Sequence, residues 1–262
     1  MHAMDGGTKR TFVMGDIHGA FAALQECLQL SGFDYEVDTL IQLGDVLDGK
    51  DQAFECVEEL LKIKNLIAIK GNHDVWFKEF LETGRHPRRW KHGAVGTIIS
   101  YLRHVQPPDI YFPKGDGFET TLAPHRIPAH HHQFFQEQRL YYIDDQKRLF
   151  VHAGFDTRTY FHGQDEENYY FDRSLWMDAM NGIDPDVYAP WGNQKTSFAE
   201  IYIGHTQTIN WNSDQPMTVF NITNMDTGAG GKGRLSIMDI DSKEYWQSTL
   251  IPELYSQSML RG

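Results

Sequence analysis

The chain has 262 residues, a formal net charge of −12 and an ordinary soluble composition with 13% aromatic residues. Such a length buries a full-sized core and fits one large domain better than two small ones. The acidic balance argues against a nucleic-acid backbone or an anionic membrane as the main partner, but leaves room for an anionic substrate whose charge is met by metal ions.

Residues 1–9 carry no signal-peptide core and are expected to be disordered or left over from cloning. The first half then alternates. Arg10–Met14 predicts a buried strand, Ala20–Leu30 an amphipathic helix, Thr39–Leu43 a strand, Gln52–Lys62 a helix and Leu66–Ile69 a third strand, with a helix from about Val75. That order predicts a parallel sheet covered by helices. Cys27 and Cys56 fall inside helices and are expected to be buried free thiols, which suits a reducing cytoplasm.

Residues 84–130 read as a helical insertion with a long Pro- and Gly-rich loop, the kind of segment that covers a site. Beyond it the pattern turns to strands at Leu140–Ile143, Leu149–His152, Ile201–Ile203, Thr218–Asn221, Leu235–Ile240 and Glu244–Leu250, with a short helix near Arg173–Met180. Their close spacing predicts a second, mixed or antiparallel sheet. The expected fold class is therefore α/β, a sandwich of two mixed β-sheets flanked by helices. Residues 10–250 form one domain and 251–262 a tail. No apolar run approaches the roughly 18–20 residues that span a bilayer.

The residues that follow the strands carry the chemistry. TFVM runs into GDIHG, TLIQL into GDVLDGK, LIAIK into GNHD, LFV into HAG, and IYI into GHT. One strand ending in Gly beside Asp, Asn or His is a turn; five such endings make a site, because ligands of α/β sheets gather at the carboxyl ends of strands. The inventory is Asp16, His18, Asp45, Asn72, His152 and His205. Carboxylate, imidazole and amide oxygen without thiolate suit Mn, Fe, Zn, Co or Ni. Six ligands exceed what one ion needs when water must also bind, so two divalent ions sharing a carboxylate, with Asp45 as the bridge, is the economical arrangement.

In order and spacing these motifs resemble the calcineurin-like metallophosphoesterases, and among them the PPP-type serine/threonine phosphatases in their bacterial form. RWKHGAVGTIISYL (89–102), SLWMD (174–178) and NMDTGAGGKGRL (224–235) are similar to further stretches of that family, so the likeness covers about residues 10–250. The resemblance implies one metal (Mn, Fe or Zn) on Asp16, His18 and Asp45. It implies a second on Asp45, Asn72, His152 and His205, a metal-activated water as nucleophile, and His73 as general acid oriented by Asp48.

The phosphate-clamping arginines of that family are missing. Gly49 and Lys50 stand in GDVLDGK, Lys70 precedes GNH, and Asp178 ends SLWMD. Lys50, Lys70 and Arg173 are the candidate substrate contacts, with Arg85, Arg88, Arg89 and Lys91 as further ones. The implied activity is phosphomonoester hydrolysis of a phosphoprotein or small phosphoester. Hydrolysis of dinucleoside polyphosphates or phosphodiesters, and binding of a phospho-ligand without turnover, are the alternatives. The run His130-His131-His132 is expected to be a solvated helix start, since adjacent helix positions point apart. Tyr169–Trp176 could line a groove or fill a core, and Asp226 is expected to support the site through hydrogen bonds.

Overall fold

A computed structural model of the protein describes residues 9–105, 111–114, 117–184 and 198–255. The chain runs β1 (Thr11–Met14), α1 (Phe21–Leu30), β2 (Thr39–Gln42), α2 (Ala53–Leu60), β3 (Asn65–Ala68), α3 (Asn72–Thr83) and α4 (Ala94–Leu102). It continues through β4 (Tyr111–Lys114), β5 (Gly117–Thr120), α5 (Ala129–Glu137), β6 (Tyr141–Ile143), β7 (Arg148–Val151), α6 (Glu166–Phe171) and α7 (Ser174–Met180). The last elements are β8 (Glu200–Ile203), β9 (Met217–Val219), β10 (Ile222–Asn224), β11 (Ser236–Asp239), β12 (Tyr245–Gln247) and α8 (Ile251–Leu254).

Two five-stranded sheets result, in the orders β12-β11-β1-β2-β3 and β6-β7-β8-β10-β9. In the first, β1, β2 and β3 are parallel and β11 pairs antiparallel with β1. The period-two pattern explains the layering. Phe12, Met14 and Leu40 point into the core beneath α1 and α2, whereas Val13 and Ile41 join Phe150, Tyr202 and Met225 between the sheets. Phe150 and Tyr202 stack there at 5.0 Å between ring centroids. The far face of the second sheet packs Leu149, Val151 and Ile201 against Tyr169, Leu175 and Trp176, so the aromatic stretch 169–176 supplies core.

The two mixed sheets are those the strand pattern implies, and several elements differ in detail. The strands near 235–240 and 244–250 do not extend the second sheet. They return to the first, because β11 finds its free partner edge on β1. Helix α3 begins at Asn72 rather than near Val75: Gly71 is extended at the cap and the Asp74 carboxylate accepts the Gly71 N–H at 3.1 Å, which draws GNHD into the first turn. Residues 217–224 form two strands joined by a turn at Phe220, where φ is 53°. The stretch expected as irregular loop contains the β4–β5 hairpin.

Within 84–130, Trp90, Ile98 and Tyr101 are fully buried in the main core, so this segment is built into the body as well as bordering the site. His131 is also fully buried, not solvated. Its Nδ1 meets the Tyr101 hydroxyl at 2.8 Å and its Nε2 the Glu58 carboxylate at 2.9 Å. Cys27 and Cys56 are buried and free. Among the described residues no helix is long and apolar enough to cross a membrane.

Candidate active site

The loops after β1, β2 and β3 of one sheet and β7 and β8 of the other converge at a common edge. Three of the polar residues there hold a left-handed backbone that side-chain-bearing residues seldom adopt: His18 (φ 52°), Asp45 (φ 54°) and His205 (φ 67°). Asp48 joins them at φ 69°. Such strain persists only where surrounding bonds fix it, and it gathers at functional sites. Here the bonds are plain. The Ile17 and His18 N–H groups donate to the Asp45 carbonyl, and the Lys50 N–H donates to the His18 carbonyl. The Asp74 carboxylate accepts N–H groups from Asp45, Val46 and Gly71 and a side-chain N–H from Gln138. Asp74 thus ties the second loop to the third. Gly71 is required by contact: a Cβ there would run into the Asp45 carboxylate.

Backbone acceptors set the histidine tautomers. His152 Nδ1 donates to the Leu43 carbonyl at 2.7 Å, and His18 Nδ1 lies 3.1 Å from the Leu47 carbonyl. Each therefore presents its Nε2 lone pair to the cleft. His152 Nε2 lies 3.4 Å from Asp45 Oδ2 and 3.2 Å from Asn72 Oδ1. His18 Nε2 lies 3.8 Å from Asp16 Oδ2 and 3.9 Å from Asp45 Oδ2. Two groups of potential ligand atoms result, His18–Asp45–His73 and Asp45–His152–His205, and Asp45 belongs to both. Asp16 accepts the His205 N–H at 3.1 Å and so faces the same space.

This donor set fits divalent ions. The His205 Nε2 atom is buried without a hydrogen-bond partner, a costly condition for a polar nitrogen unless it ligates. Burial, together with the nearby Asp226 and Asp45 carboxylates, pushes Asp16 well above the usual carboxylate range. Burial lowers the His18 imidazole to about 4, leaving it neutral and able to bind a metal.

His73 stands at the rim. Its N–H donates to Asp45 Oδ1 at 2.9 Å, and its ring Nδ1 lies 2.6 Å from Asp48 Oδ2. Burial alone would lower this imidazole, but the Asp45 and Asp48 carboxylates more than offset it and hold it at about 9.

A cleft of about 430 Å³ opens above these groups, lined by His18, Asp45, Asp48, Asn72, His73 and His205. Arg173 also borders it, with Nη1 donating to the His205 carbonyl at 3.1 Å and to Thr206 Oγ1 at 2.8 Å. Lys50 and Lys70 are not among its lining residues. Lys50 is buried, and Lys70 lies near Lys78 and Glu166. Lys91, His92, Gln207, Asn210 and Asp226 complete the walls. Of these, Gln207 and Asn210 carried no sequence signal, since a lone amide in a loop is indistinguishable from a solvated one. Asp226 is buried beside the carboxylates and accepts the Gly228 N–H, and burial with the nearby Asp45 charge raises it.

The remaining cluster, Glu58–His130–His131, differs in character. Its nitrogens lie 2.6 and 2.9 Å from one Glu58 oxygen, closer than the ~3.3 Å between ligands set tetrahedrally around zinc. It is a hydrogen-bonded clasp between α2 and α5.

Residues 9–208 match the model of the calcineurin-like phosphoesterase family, and the chain belongs to that family. It is accordingly a metal-dependent phosphoric ester hydrolase. It is 24% identical to a symmetrical bis(5'-nucleosyl)-tetraphosphatase of Coxiella burnetii, over 92% of this chain and 94% of that protein. Serine/threonine-protein phosphatase 2 of Escherichia coli is 25% identical over 88% of this chain and 93% of its own. Among solved structures, one described as a candidate diadenosine tetraphosphatase aligns with a TM-score of 0.62 at 14% identity, covering 94% of this chain and 95% of that one. This last likeness bears on the fold, whose two sheets and flanking helices it shares.

Proposed function

We propose that the protein is a two-metal hydrolase of small phosphorylated molecules, with dinucleoside polyphosphates as the substrate class. The observation that carries the chemistry is the pair of histidine–carboxylate groups sharing Asp45 on the floor of one cleft, with the His73–Asp48 pair beside them. Asp16, His18 and Asp45 would hold one divalent ion and Asp45, Asn72, His152 and His205 the other, with Mn, Fe or Zn suited to these donors. Ions bound there supply Lewis-acid charge at the phosphoryl oxygens and acidify water to a nucleophile at neutral pH. The side chains do the rest. Asp48 accepts the His73 Nδ1 proton and fixes the ring, so that His73 Nε2 delivers a proton to the departing oxygen. Arg173 donates to the phosphate chain at the cleft wall, and Lys91, which also lines the cleft, adds charge.

Position 49 supports the choice of substrate. Gly49 has φ 102°, a conformation strained for any residue with a side chain, so this backbone disfavours an arginine clamp at the position. A terminal phosphoryl group offers three free oxygens to be clamped, whereas an internal phosphate of a polyphosphate chain offers two. A cleft that presents one guanidinium among the described residues, partly committed to His205 and Thr206, suits the latter. Near full-length likeness to the Coxiella enzyme agrees. The similarity to the Escherichia coli phosphatase favours a second reading, phosphomonoester hydrolysis on serine/threonine phosphoproteins. Under either reading the acidic chain works in the cytoplasm, without nucleic acid or membrane as partner.

The deciding experiment uses manganese-loaded protein with Asp45→Asn as background. Diadenosine tetraphosphate, p-nitrophenyl phosphate, bis-p-nitrophenyl phosphate and a phosphoserine peptide are compared by kcat/KM. Preference for the dinucleotide supports the proposal, preference for the phosphopeptide moves the assignment to the second reading, and turnover of none overturns both.

A further inference from the structure

Asp48 is fully buried, and its carboxylate makes more bonds than a partner for one histidine needs. Oδ2, the oxygen that meets His73 Nδ1, also accepts the indole N–H of Trp90 at 2.6 Å. Oδ1 accepts the Thr97 hydroxyl at 2.6 Å, and that hydroxyl oxygen accepts the Asp48 backbone N–H at 2.9 Å. Trp90 and Thr97 are themselves fully buried, so no water competes for these bonds.

Their scaffolding points back to the site. The Trp90 ring lies edge-on to Phe77 at 5.8 Å and tilted against Phe80 at 5.8 Å, both on α3, the helix whose first turn carries His73. Thr97 sits on α4, and the αL residue before that helix, Gly93, accepts the Gly49 N–H at 3.2 Å. Both carboxylate oxygens are thus held by a segment that also borders the cleft through Lys91, His92 and Gly93.

From this geometry we infer that Trp90 and Thr97 are positioning residues for proton delivery, acting through Asp48 on His73. A carboxylate bonded only to His73 could rotate about its Cβ–Cγ bond and turn the imidazole with it. Donors fixed on both oxygens remove that freedom, so His73 Nε2 keeps its aim at the leaving-group oxygen. The proton passes from His73 Nε2 to that oxygen, while the Nδ1 proton stays between His73 and Asp48. The inference rests on the reading of His73 as general acid, and the test separates the two.

The variants are Trp90→Phe, which keeps the ring and loses the N–H, Thr97→Val, which keeps the shape and loses the hydroxyl, and Thr97→Ser, which restores the hydroxyl. Each is assayed on p-nitrophenyl phosphate, whose leaving group departs as a stable anion, and on phenyl phosphate, whose more basic leaving group needs the proton. A positioning role predicts that Trp90→Phe and Thr97→Val lose roughly 10–100-fold in kcat on phenyl phosphate but no more than about threefold on p-nitrophenyl phosphate. Thr97→Ser recovers most of the loss, and adding Trp90→Phe to His73→Asn costs nothing further.

Equal losses on both substrates, or a further loss in the His73→Asn background, would overturn the inference. If His73→Asn itself shows no dependence on the leaving group, the general-acid reading fails and takes the inference with it. A readout independent of turnover is the low-field proton resonance of the His73–Asp48 bond, assigned by its loss in Asp48→Asn. It shifts in Trp90→Phe and Thr97→Val if the inference holds, and an unchanged resonance in both refutes it.

Discussion

Asp45 combines two tasks in one side chain. Its Oδ1 accepts the His73 N–H at 2.9 Å, while Oδ2 lies 3.4 Å from His152 Nε2 and 3.9 Å from His18 Nε2. Asp45→Asn keeps the shape and removes the charge that both ligand groups share. It is expected to cut bound manganese to one ion or fewer per chain, by elemental analysis after dialysis, and to lower kcat by about 10³ or more. Two retained ions would mean that Asp45 does not bridge. Arg173 makes a narrower case. Arg173→Ala is expected to raise KM for the dinucleotide roughly tenfold, about 1.4 kcal/mol, with kcat less affected. Arg173→Lys should recover little, because an ammonium cannot reproduce a planar fork. An unchanged KM in both variants would remove Arg173 from the substrate contacts.

At the scale of elements, the strand ends were legible because their chemistry is punctuation. Gly beside Asp, Asn or His after an apolar run is rare enough, five times over, to locate one edge of the fold and the residues along it. What stayed hidden depends on partners remote in sequence. The start of α3 at Asn72 is obscured because Asn and His are weak helix formers; the turn forms because Asp74, inside it rather than before it, gathers N–H groups from two loops. TVFN (218–221) reads as one strand, but the turn at Phe220 ends it after Val219 and a second strand follows from Ile222. The bonds of Trp90 and Thr97 to Asp48 span 42 and 49 residues, beyond any local pattern.

His131 has the same cause. Its burial follows from its contacts with Phe54 and Glu58 on α2 and Tyr101 on α4, and it carries a pH consequence. Burial lowers it from 6.5 to about 4; Glu58 opposes the shift, and His130 and His104 reinforce it. The unfolded chain therefore takes up its proton at higher pH than the folded one. The stability contributed by neutral His131 is complete above about pH 6.5 and is lost as the pH falls toward 4, by at most about 1.4 kcal/mol per pH unit. Wild-type protein should lose more Tm between pH 7.5 and 5 than His131→Gln. Parallel losses would place the acid sensitivity elsewhere.

For the whole molecule, the site is where the two sheets meet. Asp16, Asp45 and Asn72 follow strands of one sheet, and His152 and His205 follow strands of the other. Ions held by all five would staple the layers at one edge, while Phe150, Tyr202 and Met225 join them through the interior. Asp16, Asp45 and Asp226 lie together in a buried space; burial raises Asp16 and Asp226, and the Asp45 charge adds to both shifts. Metal should therefore bind the native state far better than the unfolded chain and stabilise it by mass action, about 4 kcal/mol at a free concentration 1,000 times Kd. For a chain of this size that is a rise in Tm of about 10 °C. The measurement is thermal unfolding of chelator-stripped protein against free manganese, with Asp45→Asn beside it. The wild type should gain stability with the logarithm of metal concentration, and Asp45→Asn should gain much less. A Tm indifferent to manganese would mean that the five loops are set by their own hydrogen bonds and that the ions do not join the sheets.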